Sequence, residues 1–382
     1  MRKCNNFTRF EPYEFVVESR MKSIMVVAGT RPEIIKMAPL IRAFIEKSVS
    51  FMFVHCGQHY DYNMSQQFIE ELELPAPDYN FKIKAHSPGV QTARIMVNIE
   101  KLVNKTKPTT VLVEGDTNGV LATALAAIKQ GIPVGHVEAG LRSFDLRMPE
   151  EHNRRLTDHI STYLFSPTVN AQKNLLSENV FGGIYVTGNT VIDAVIQHLP
   201  IARKKSKILD EVEFENFMLA TAHRAENVDD YAVLGNLIDA FTEAPLPIVY
   251  PIHPRTRKRL RQSKLWQKAK NSKNIQLLPP VGYLDFLVLM EKCKLIITDS
   301  GGIQEEATAP PIRKRVLVIR LSTERPEAVE KGFARVVGVR KNDILKAMME
   351  TLNYERALPK ESPFGNGDAG ARIERILALK AH

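Results

Sequence analysis

Short apolar runs alternate with segments of helical pattern along most of the chain. The runs are rich in β-branched residues and are bounded by polar or glycine-containing turns. Such alternation is typical of parallel βαβ units. The predicted strands form two series, which are 23–28, 51–56, 110–114, 133–137 and 184–187, followed by 217–222, 247–252, 275–278, 294–298 and 316–320.

A polar stretch at 203–215 separates the two series of strands. We place the domain junction just before it, near residues 188–200. The sequence therefore predicts an α/β protein with two doubly wound Rossmann-like domains and a cleft between them. Ligands of such sheets bind at the carboxyl ends of the strands, where loops lead into helices. These loops are where functional residues are expected.

The bulk composition fits a globular protein. Hydrophobic residues make up 44% and charged residues 25% of the 382 residues, and no apolar run approaches the roughly 18 residues of a membrane helix. Residues 1–20 lack the apolar core of a secretion signal. We interpret them as a disordered N-terminal extension, with Met21 as an alternative start. Cys4, Cys56 and Cys293 form no CxxC pair, which argues against a disulfide framework or zinc site. We expect a cytoplasmic protein without a membrane partner.

The net charge of +9 is compatible with an anionic small molecule or a nucleic acid as partner. No aromatic residues interleave with the densest basic cluster, so base stacking is not indicated and we expect no nucleic acid. The cluster is either a solvated helix face or a partner surface. Its members are Arg255, Arg257, Lys258, Arg259, Arg261 and Lys264.

Three glycines near the end of the chain spell GxGxxG, the dinucleotide-binding fingerprint. They are Gly365, Gly367 and Gly370. The fingerprint requires a preceding strand and a following helix inside a βαβ unit. No strand is predicted before these glycines, and one short helix follows them. We interpret the segment as a loop that enters the last helix.

The loop after the first strand, 28–33, reads AGTRPE. Its Thr30 and Glu33 match a helix capping box, and the proline suits a first helical turn. A helix N-terminus at the cleft attracts anions, and Arg31 and Lys36 add positive charge beside it. The pattern indicates either an anion site or a well-capped helix with surface cations.

Residues 299–306 read DSGGIQEE and directly follow a predicted strand. The backbone N–H groups of Ser300, Gly301 and Gly302 are expected to face a diphosphate without side-chain obstruction. Glu306 lies about one turn further on, where a carboxylate accepts hydrogen bonds from ribose hydroxyls. An ordinary glycine turn is the alternative. A second loop of this kind at one cleft favours nucleotide binding.

Acidic residues occur where strands of the first domain end. Asp116 and Glu138 each follow a predicted strand, and Glu150 and Glu151 begin a predicted helix at 149–162. Turn formation and helix-dipole stabilisation are sufficient roles for each one alone. Converging carboxylates would repel one another and raise at least one pKa, which suits proton transfer near neutral pH.

The second domain offers a histidine and an arginine at the same cleft. His223 and Arg224 follow strand 217–222, where a cation would stabilise a departing diphosphate. A satisfied loop histidine is the alternative. The chain has no P-loop, HExxH or DxD motif, which disfavours kinase-type transfer and metal-dependent glycosyl transfer.

Eight motifs in order resemble those of the non-hydrolysing UDP-N-acetylglucosamine 2-epimerases. They are GTRPEIIKMAP, GDT, GHVEAGLRS, PEEHNR, GNTVIDA, HRAEN, DSGGIQEEA and TERPEAV, between about residues 22 and 379. The resemblance implies the glycosyltransferase-B fold. It implies an N-terminal domain at 21–190, a UDP-binding domain at 191–365, and a C-terminal helix at 366–382 that returns to the N-terminal domain.

The resemblance also implies a reaction. Family members interconvert UDP-N-acetylglucosamine and UDP-N-acetylmannosamine without NAD or metal. The C2 proton is removed and UDP leaves C1, which gives 2-acetamidoglucal. UDP then adds back while the opposite face of C2 is protonated. The family suggests a homodimer.

Site residues follow by matching motif to motif. Asp116, Glu138, Glu150 and His223 occupy catalytic positions. Which of Asp116 and Glu150 takes the C2 proton stays open, and Glu138 is expected to orient the others. UDP-binding positions are Arg31, Lys36, Ser300, Gly301, Gly302, Glu306 and Arg325, with Phe286 beside the uracil.

The chain departs from the family pattern at three places. Leu321 replaces the usual aspartate before TERPE. The basic loop 308–315 is about two residues longer than usual, and we expect that a shift of this loop could move Arg325. The stretch 58–61 keeps Gln-His and then differs, which puts allosteric activation by substrate in doubt. Two alternative functions remain: a hydrolysing relative that releases UDP and free N-acetylmannosamine, and an inactive UDP-sugar sensor.

Overall fold

The computed structural model describes residues 24–57, 62–83, 87–354 and 356–380. The expected N-terminal extension, 1–20, and the Gln-His stretch at 58–61 lie outside these ranges. Within them the chain forms two parallel sheets, of seven and six strands. The prediction of two doubly wound α/β domains is confirmed.

The first sheet has the strand order β3-β2-β1-β4-β5-β6-β7. Its strands are β1 (Ile24–Ala28), β2 (Phe51–His55), β3 (Tyr79–Asn80), β4 (Thr110–Glu114), β5 (Val134–Val137), β6 (Tyr163–Ser166) and β7 (Gly183–Val186). The helices that accompany them are α1 (Arg31–Glu46), α2 (Tyr62–Glu71), α3 (Pro88–Thr106), α4 (Asn118–Lys129), α5 (Pro149–Ile160), α6 (Val169–Ser177) and α7 (Thr190–Lys205).

The second sheet has the order β10-β9-β8-β11-β12-β13. Its strands are β8 (Met218–Thr221), β9 (Ile248–Pro251), β10 (Ile275–Leu278), β11 (Ile296–Thr298), β12 (Val316–Val318) and β13 (Ala334–Val336). The helices are α8 (Ala225–Val228), α9 (Tyr231–Thr242), α10 (Pro254–Arg261), α11 (Leu265–Asn271), α12 (Tyr283–Lys292), α13 (Gly301–Glu306), α14 (Pro326–Glu330), α15 (Lys341–Leu352) and α16 (Ala369–Lys380), with a 3₁₀ turn at Ile208–Glu211.

All ten predicted strands are present, with ends shifted by at most two residues. Most of them are continuous runs of buried residues, as in β4, where all five residues are buried, whereas the residues of β7 are half-buried or exposed. The strands β3, β6 and β13 were missed. They are two, four and three residues long, whereas β11 and β12, which have three residues each, lie within the five-residue predicted runs 294–298 and 316–320.

Both sheets change winding direction beside their first strand. The order reverses between β1 and β4 in the first domain and between β8 and β11 in the second. Such a reversal opens a crevice at the carboxyl ends of the two strands. The loops that begin at Gly29, Gly115, Ala222 and Asp299 are therefore the ones that line the crevices.

The two domains are joined by α7, which packs on both α1 and α12. The expected junction, 188–200, thus falls in a helix that both domains share. The last helix, α16, packs against α1 and α7. Gly370 lies in its first turn, where a Cβ atom would come 3.0 Å from the carbonyl carbon of Pro39.

The GxGxxG segment is the entry to α16, as interpreted from the sequence. Gly365 and Gly367 adopt φ values of +117° and +88° in the loop that precedes the helix. Gly370 permits the close approach of α16 to α1. The three glycines thus serve turns and packing, and the β strand that a dinucleotide fingerprint needs does not precede them in the described chain.

The basic cluster on α10 is largely paired within the domain. Arg255 and Arg259 both bind the carboxylate of Asp229. Arg257 and Arg261 lie over the Trp266 ring, at 5.9 and 5.1 Å from its centroid. A solvated helix face accounts for this cluster. Cys56 and Cys293 are both buried, and no helix in the described ranges is long and apolar enough to cross a membrane.

Candidate active site

Lys36 lies between two carboxylates of the first domain. Its Nζ is 3.0 Å from Glu114 Oε1 and 2.6 Å from Glu138 Oε2. Glu114 is the last residue of β4, and Glu138 follows β5 with a left-handed φ of +69° that turns its side chain toward Lys36. A non-glycine residue held in this region costs about 1–3 kcal/mol and is frequent at functional sites.

The two carboxyls have opposite pKa shifts. Burial raises the pKa of Glu114 well above its ordinary value, and the charge of Lys36 offsets this only in part. Burial also acts to raise the pKa of Glu138, but the charges of Lys36 and Arg325 outweigh it and lower that pKa to about 2. The two carboxyls around this one ammonium group are therefore shifted in opposite directions, with Glu114 the weaker acid of the two.

Asp116 is held by an arginine from α5. Arg154 donates to Asp116 Oδ2 from Nη2 at 2.6 Å and from Nε at 2.9 Å. The loop behind Asp116 is fixed by His136, whose Nε2 lies 2.8 Å from the Gly115 carbonyl and whose Nδ1 lies 2.7 Å from Asp158. The Asp116 side chain is still 30% exposed, so it remains accessible from the cleft.

The two glutamates at the start of α5 have different surroundings. Glu150 is exposed, whereas Glu151 is fully buried. Glu151 accepts hydrogen bonds from Ser143 and from Arg154. Glu151 thus anchors α5, and Glu150 is the one of the two that is available to a ligand.

Asp299 organises the loop after β8 in the second domain. It is fully buried, and its Oδ2 accepts from the backbone N–H groups of His223 and Arg224, both at 2.9 Å. The His223 Nδ1 atom lies 3.2 Å from Asp299 Oδ1, and its side chain is 39% exposed. His223 therefore has its Nδ1 edge toward a carboxylate, and its side chain is partly exposed.

The glycine turn before α13 is open, with one correction to the expected donors. The Ser300 N–H donates to Thr298 Oγ1 at 3.0 Å, because the chain folds back over the end of β11. It is therefore not free for a diphosphate, which leaves the N–H groups of Gly301 and Gly302. A Cβ on Gly301 would lie 3.7 Å from Arg325 Cζ, so the guanidinium flanks the turn.

Arg325 is buried and anchored beside the turn. Its Nε donates to Glu305 Oε1, and its Nη1 donates to the Glu324 carbonyl at 3.1 Å. The longer loop, 308–315, has contacts of its own. Arg313 and Arg315 of that loop donate to backbone carbonyls of Pro359 and Gly332.

Glu306 differs from the carboxylate that was expected at its position. Burial and the nearby Glu305 raise its pKa to about 8. A neutral Glu306 donates one hydrogen bond and accepts others, which still suits a ribose hydroxyl.

The remaining predicted positions lie on helices around the cleft. Arg31 is exposed in the first turn of α1, with its Cζ 5.4 Å from the Phe68 ring centroid. Phe286 is half-buried on α12 and packs against the core. Leu321 is 86% exposed and lines a cavity of about 460 Å³, to which Asp145 and Arg147 of the first domain contribute.

Sequence reasoning missed the residues that connect the others. They are Glu114, His136, Arg154, Asn189 and Glu305. For Glu114 a signal was present, since a carboxylate as the last residue of a buried strand has to find a partner. The other four became visible only when distant segments met.

Two doubly wound domains with charged strand ends facing a glycine turn define a two-domain enzyme of the glycosyltransferase-B type. The chain belongs to the UDP-N-acetylglucosamine 2-epimerase family, whose model matches residues 43–378. It is 47% identical to a UDP-N-acetylglucosamine 2-epimerase of Methanocaldococcus jannaschii, over 93% of this chain and 98% of that protein.

Solved structures and a further relative agree with this assignment. The crystal structure of the M. jannaschii UDP-GlcNAc 2-epimerase in complex with UDP-GlcNAc and UDP superposes with a TM-score of 0.83 at 47% identity, and the match covers 94% of this chain and all of that one. A Pseudomonas aeruginosa UDP-2,3-diacetamido-2,3-dideoxy-D-glucuronate 2-epimerase is 38% identical over 93% of this chain and 99% of its own length. The chain is thus an epimerase by family.

Proposed function

We propose that the protein interconverts UDP-N-acetylglucosamine and UDP-N-acetylmannosamine by elimination and re-addition of UDP. In the first step a carboxylate takes the C2 proton, the electron pair forms the C1–C2 double bond, and the C1–O bond to UDP breaks. In the second step UDP adds back at C1 while an acid delivers a proton to the other face of C2. No redox change occurs, so the atoms and electrons balance.

The proposal rests on one observation: candidate proton-transfer groups lie on one side of the cleft and a candidate nucleotide-binding turn lies on the other. The first domain supplies Asp116 and the Glu114–Glu138 pair. The second domain supplies an open glycine turn and Arg325. Proton transfer at C2 needs the former, and retention of free UDP between the steps needs the latter.

Each predicted residue has a role in this scheme. Asp116 and Glu150 exchange the C2 proton from opposite faces, and Glu138 orients the sugar and the two acids. His223 stabilises the departing diphosphate. Arg31, Lys36 and Arg325 bind phosphates together with the N–H groups of Gly301 and Gly302, in the turn that begins at Ser300. Glu306 binds the ribose, and Phe286 lies against the uracil.

The division of the chain follows the same scheme. We propose a catalytic domain at 21–190, a UDP-binding domain at 191–365 and a C-terminal helix at 366–382 on the first domain, in a cytoplasmic homodimer. Limited proteolysis between the two domains and analytical ultracentrifugation test these points. A stable monomer at micromolar concentration would contradict the dimer.

The reaction is tested by NMR with UDP-N-acetylglucosamine in deuterated water and no added cofactor. The proposal expects deuterium at C2 and the nucleotide-linked manno isomer. Free N-acetylmannosamine in place of the nucleotide sugar would show a hydrolysing enzyme. UDP binding by calorimetry with no deuterium at C2 would show a sensor.

The substrate is tested in the same assay with a UDP-2,3-diacetamido-uronate. A relative named for that substrate makes the comparison necessary. We expect a higher kcat/KM with UDP-N-acetylglucosamine. The reverse order would keep the epimerisation and change the substrate.

A further inference from the structure

Asn189 connects carboxylates of the two domains. Its Nδ2 donates to Glu138 Oε1 at 3.0 Å and to Glu305 Oε1 at 3.2 Å. Its Oδ1 accepts from the Val191 N–H at 3.0 Å and so caps α7. The residue is only 2% exposed. A primary amide has two N–H donors, and here they serve two acids that would otherwise face each other.

Each of these two carboxyls also forms an ion pair with a basic side chain. Glu138 binds Lys36 at 2.6 Å, and Glu305 binds Arg325. A continuous polar chain therefore runs Lys36–Glu138–Asn189–Glu305–Arg325 and crosses from the first domain to the second. Within it two carboxyls face two cations, and Lys36 also contacts the Glu114 carboxyl outside this series.

The Arg325 end of this polar chain faces the glycine turn. Arg325 commits Nε to Glu305 and Nη1 to a backbone carbonyl. Its Nη2 lies 3.8 Å from where a Cβ on Gly301 would be. The guanidinium is thus fixed on two sides and free on the side where the proposed diphosphate binds.

At the Lys36 end of this polar chain, Glu138 has a strained backbone conformation. Glu138 keeps its left-handed φ of +69° only because its surroundings fix it. Lys36 fixes Oε2 and Asn189 fixes Oε1. Without the amide, the carboxylate would lose one of its two anchors and would face Glu305 with no donor between them.

We infer that Asn189 and Glu305 are positioning residues, which hold Glu138 at the sugar in register with Arg325 at the nucleotide. The inference rests on the proposed function, because it gives both ends of the chain their ligands. It assigns no contact with substrate to Asn189 or Glu305. Their effect passes through Glu138.

Asn189→Ser tests the inference while keeping the helix cap, since serine is a good N-cap residue but is too short to bridge two carboxylates. Turnover is followed as deuterium entry at C2 and is divided by the number of UDP-binding sites from calorimetry. We expect kcat per site to fall by about 10- to 100-fold, while the Kd for UDP changes by less than about threefold. Asn98→Ser is the control with unchanged kcat, since Asn98 is a partly exposed residue of α3 whose amide donates to the Arg94 carbonyl of the same helix.

Asn189→Asp adds a readout that a packing defect would not give. It keeps the size and the cap but replaces both donors by a third carboxyl group. Protonation of that carboxyl restores one donor, so activity relative to wild type should rise as the pH falls from about 8 to about 6. The Asn189→Ser variant should show no such recovery.

Glu305→Gln covers the case in which Asn189 variants do not fold. The amide oxygen still accepts from Asn189 and Arg325, but the charge balance is lost. We expect kcat to fall by at least about fivefold with no loss of UDP affinity. Wild-type kcat per UDP site in Asn189→Ser or in Glu305→Gln would overturn the positioning role. Wild-type protein without deuterium at C2 would overturn the proposed function instead.

Discussion

The two glutamates beside Lys36 show how burial and nearby charges shift the pKa values of identical side chains in opposite directions. Both glutamates lie within 3.0 Å of the Lys36 ammonium group, and a full charge on both would leave the cluster negative in a site with little solvent. Glu114 is therefore the acid with the raised pKa and Glu138 the one with the lowered pKa. The site thus places a carboxyl of raised pKa next to one of lowered pKa, with a single ammonium group between them.

Asp116→Asn should remove turnover and leave nucleotide binding intact. The amide keeps the shape and still accepts a hydrogen bond from Arg154, but it cannot take a proton. We expect kcat to fall by at least about 100-fold. The Kd for UDP, from calorimetry, should stay within about threefold.

Asp239→Asn is the matched control for Asp116→Asn. This aspartate lies on α9 in an exposed ion pair with Lys268 and away from the cleft, so kcat should be unchanged. Comparable turnover in Asp116→Asn and wild type would exclude Asp116 as the proton-transferring group.

Glu306→Gln should stabilise the protein in a pH-dependent way. Burial raises the pKa of Glu306 from 4.5 to about 8, so the native protein keeps a proton that the unfolded chain releases. A raised native pKa means that stability is full below the unfolded value and is lost as the pH rises through the native value. Glutamine does not ionise and escapes this loss.

The measurement is the Tm of both proteins across the pH range. The two should melt together near about pH 4, and the variant should melt progressively higher up to about pH 8, with a constant gap beyond. Glu213→Gln, at an exposed position, serves as control with a gap that does not vary with pH. A Tm difference between Glu306→Gln and wild type that is equal at all pH values would contradict the raised pKa of Glu306.

Helix α16 docks on α1 through a glycine that has no room for a side chain. A Cβ on Gly370 would come 3.0 Å from backbone atoms of Pro39, and the Gly370 N–H donates to Asp193 at 2.9 Å. Gly370→Ala should therefore push α16 away and lower the free energy of unfolding by about 1–3 kcal/mol in urea denaturation.

Gly235→Ala on α9 is the matched control, since nothing lies within 4 Å of its missing Cβ. There alanine restricts only the unfolded chain and should stabilise by about 0.4–1 kcal/mol. Destabilisation of similar size at both positions would show that helix geometry, rather than the contact with α1, decides the effect at Gly370.

At the scale of elements, the sequence predicts what depends on neighbours along the chain. The buried run of β4 and the cap of α1 at Thr30 are examples, the latter with Thr30 Oγ1 3.4 Å from the Glu33 N–H. Even there a detail differs, because Glu33 Oε2 accepts from Gly29 and not from the Thr30 N–H of a capping box. The three-residue β13 was missed, and it is the edge strand of the second sheet, which pairs with β12.

In the candidate site, too, the residues identified by neighbouring sequence were predicted, and those identified by distant contacts were missed. Asp116, Glu138, His223 and the glycine turn were found because each follows a strand in a recognisable motif. Asn189 was missed, since its importance depends on carboxylates 51 residues before it and 116 residues after it. The occupied N–H of Ser300 was missed for the same reason, because it depends on how tightly the chain turns after β11.

At the scale of the whole molecule, the proposed ligand bridges the two domains. The diphosphate would lie between the first turn of α1 and the glycine turn before α13. UDP should therefore slow amide hydrogen exchange on both sides, at 29–35 in the first domain and at 299–306 in the second. Uridine lacks the phosphates and should protect only the second domain, near Phe286.

Hydrogen exchange with mass spectrometry at matched site occupancy checks this prediction. Equal occupancy removes the difference in affinity, because stabilisation by a ligand depends on its concentration relative to Kd. The segment on α9, 231–242, is an internal control that neither ligand should affect. Protection by UDP confined to 299–306 would mean that the nucleotide binds one domain alone, and Arg31 and Lys36 would then have no part in holding UDP between the two chemical steps.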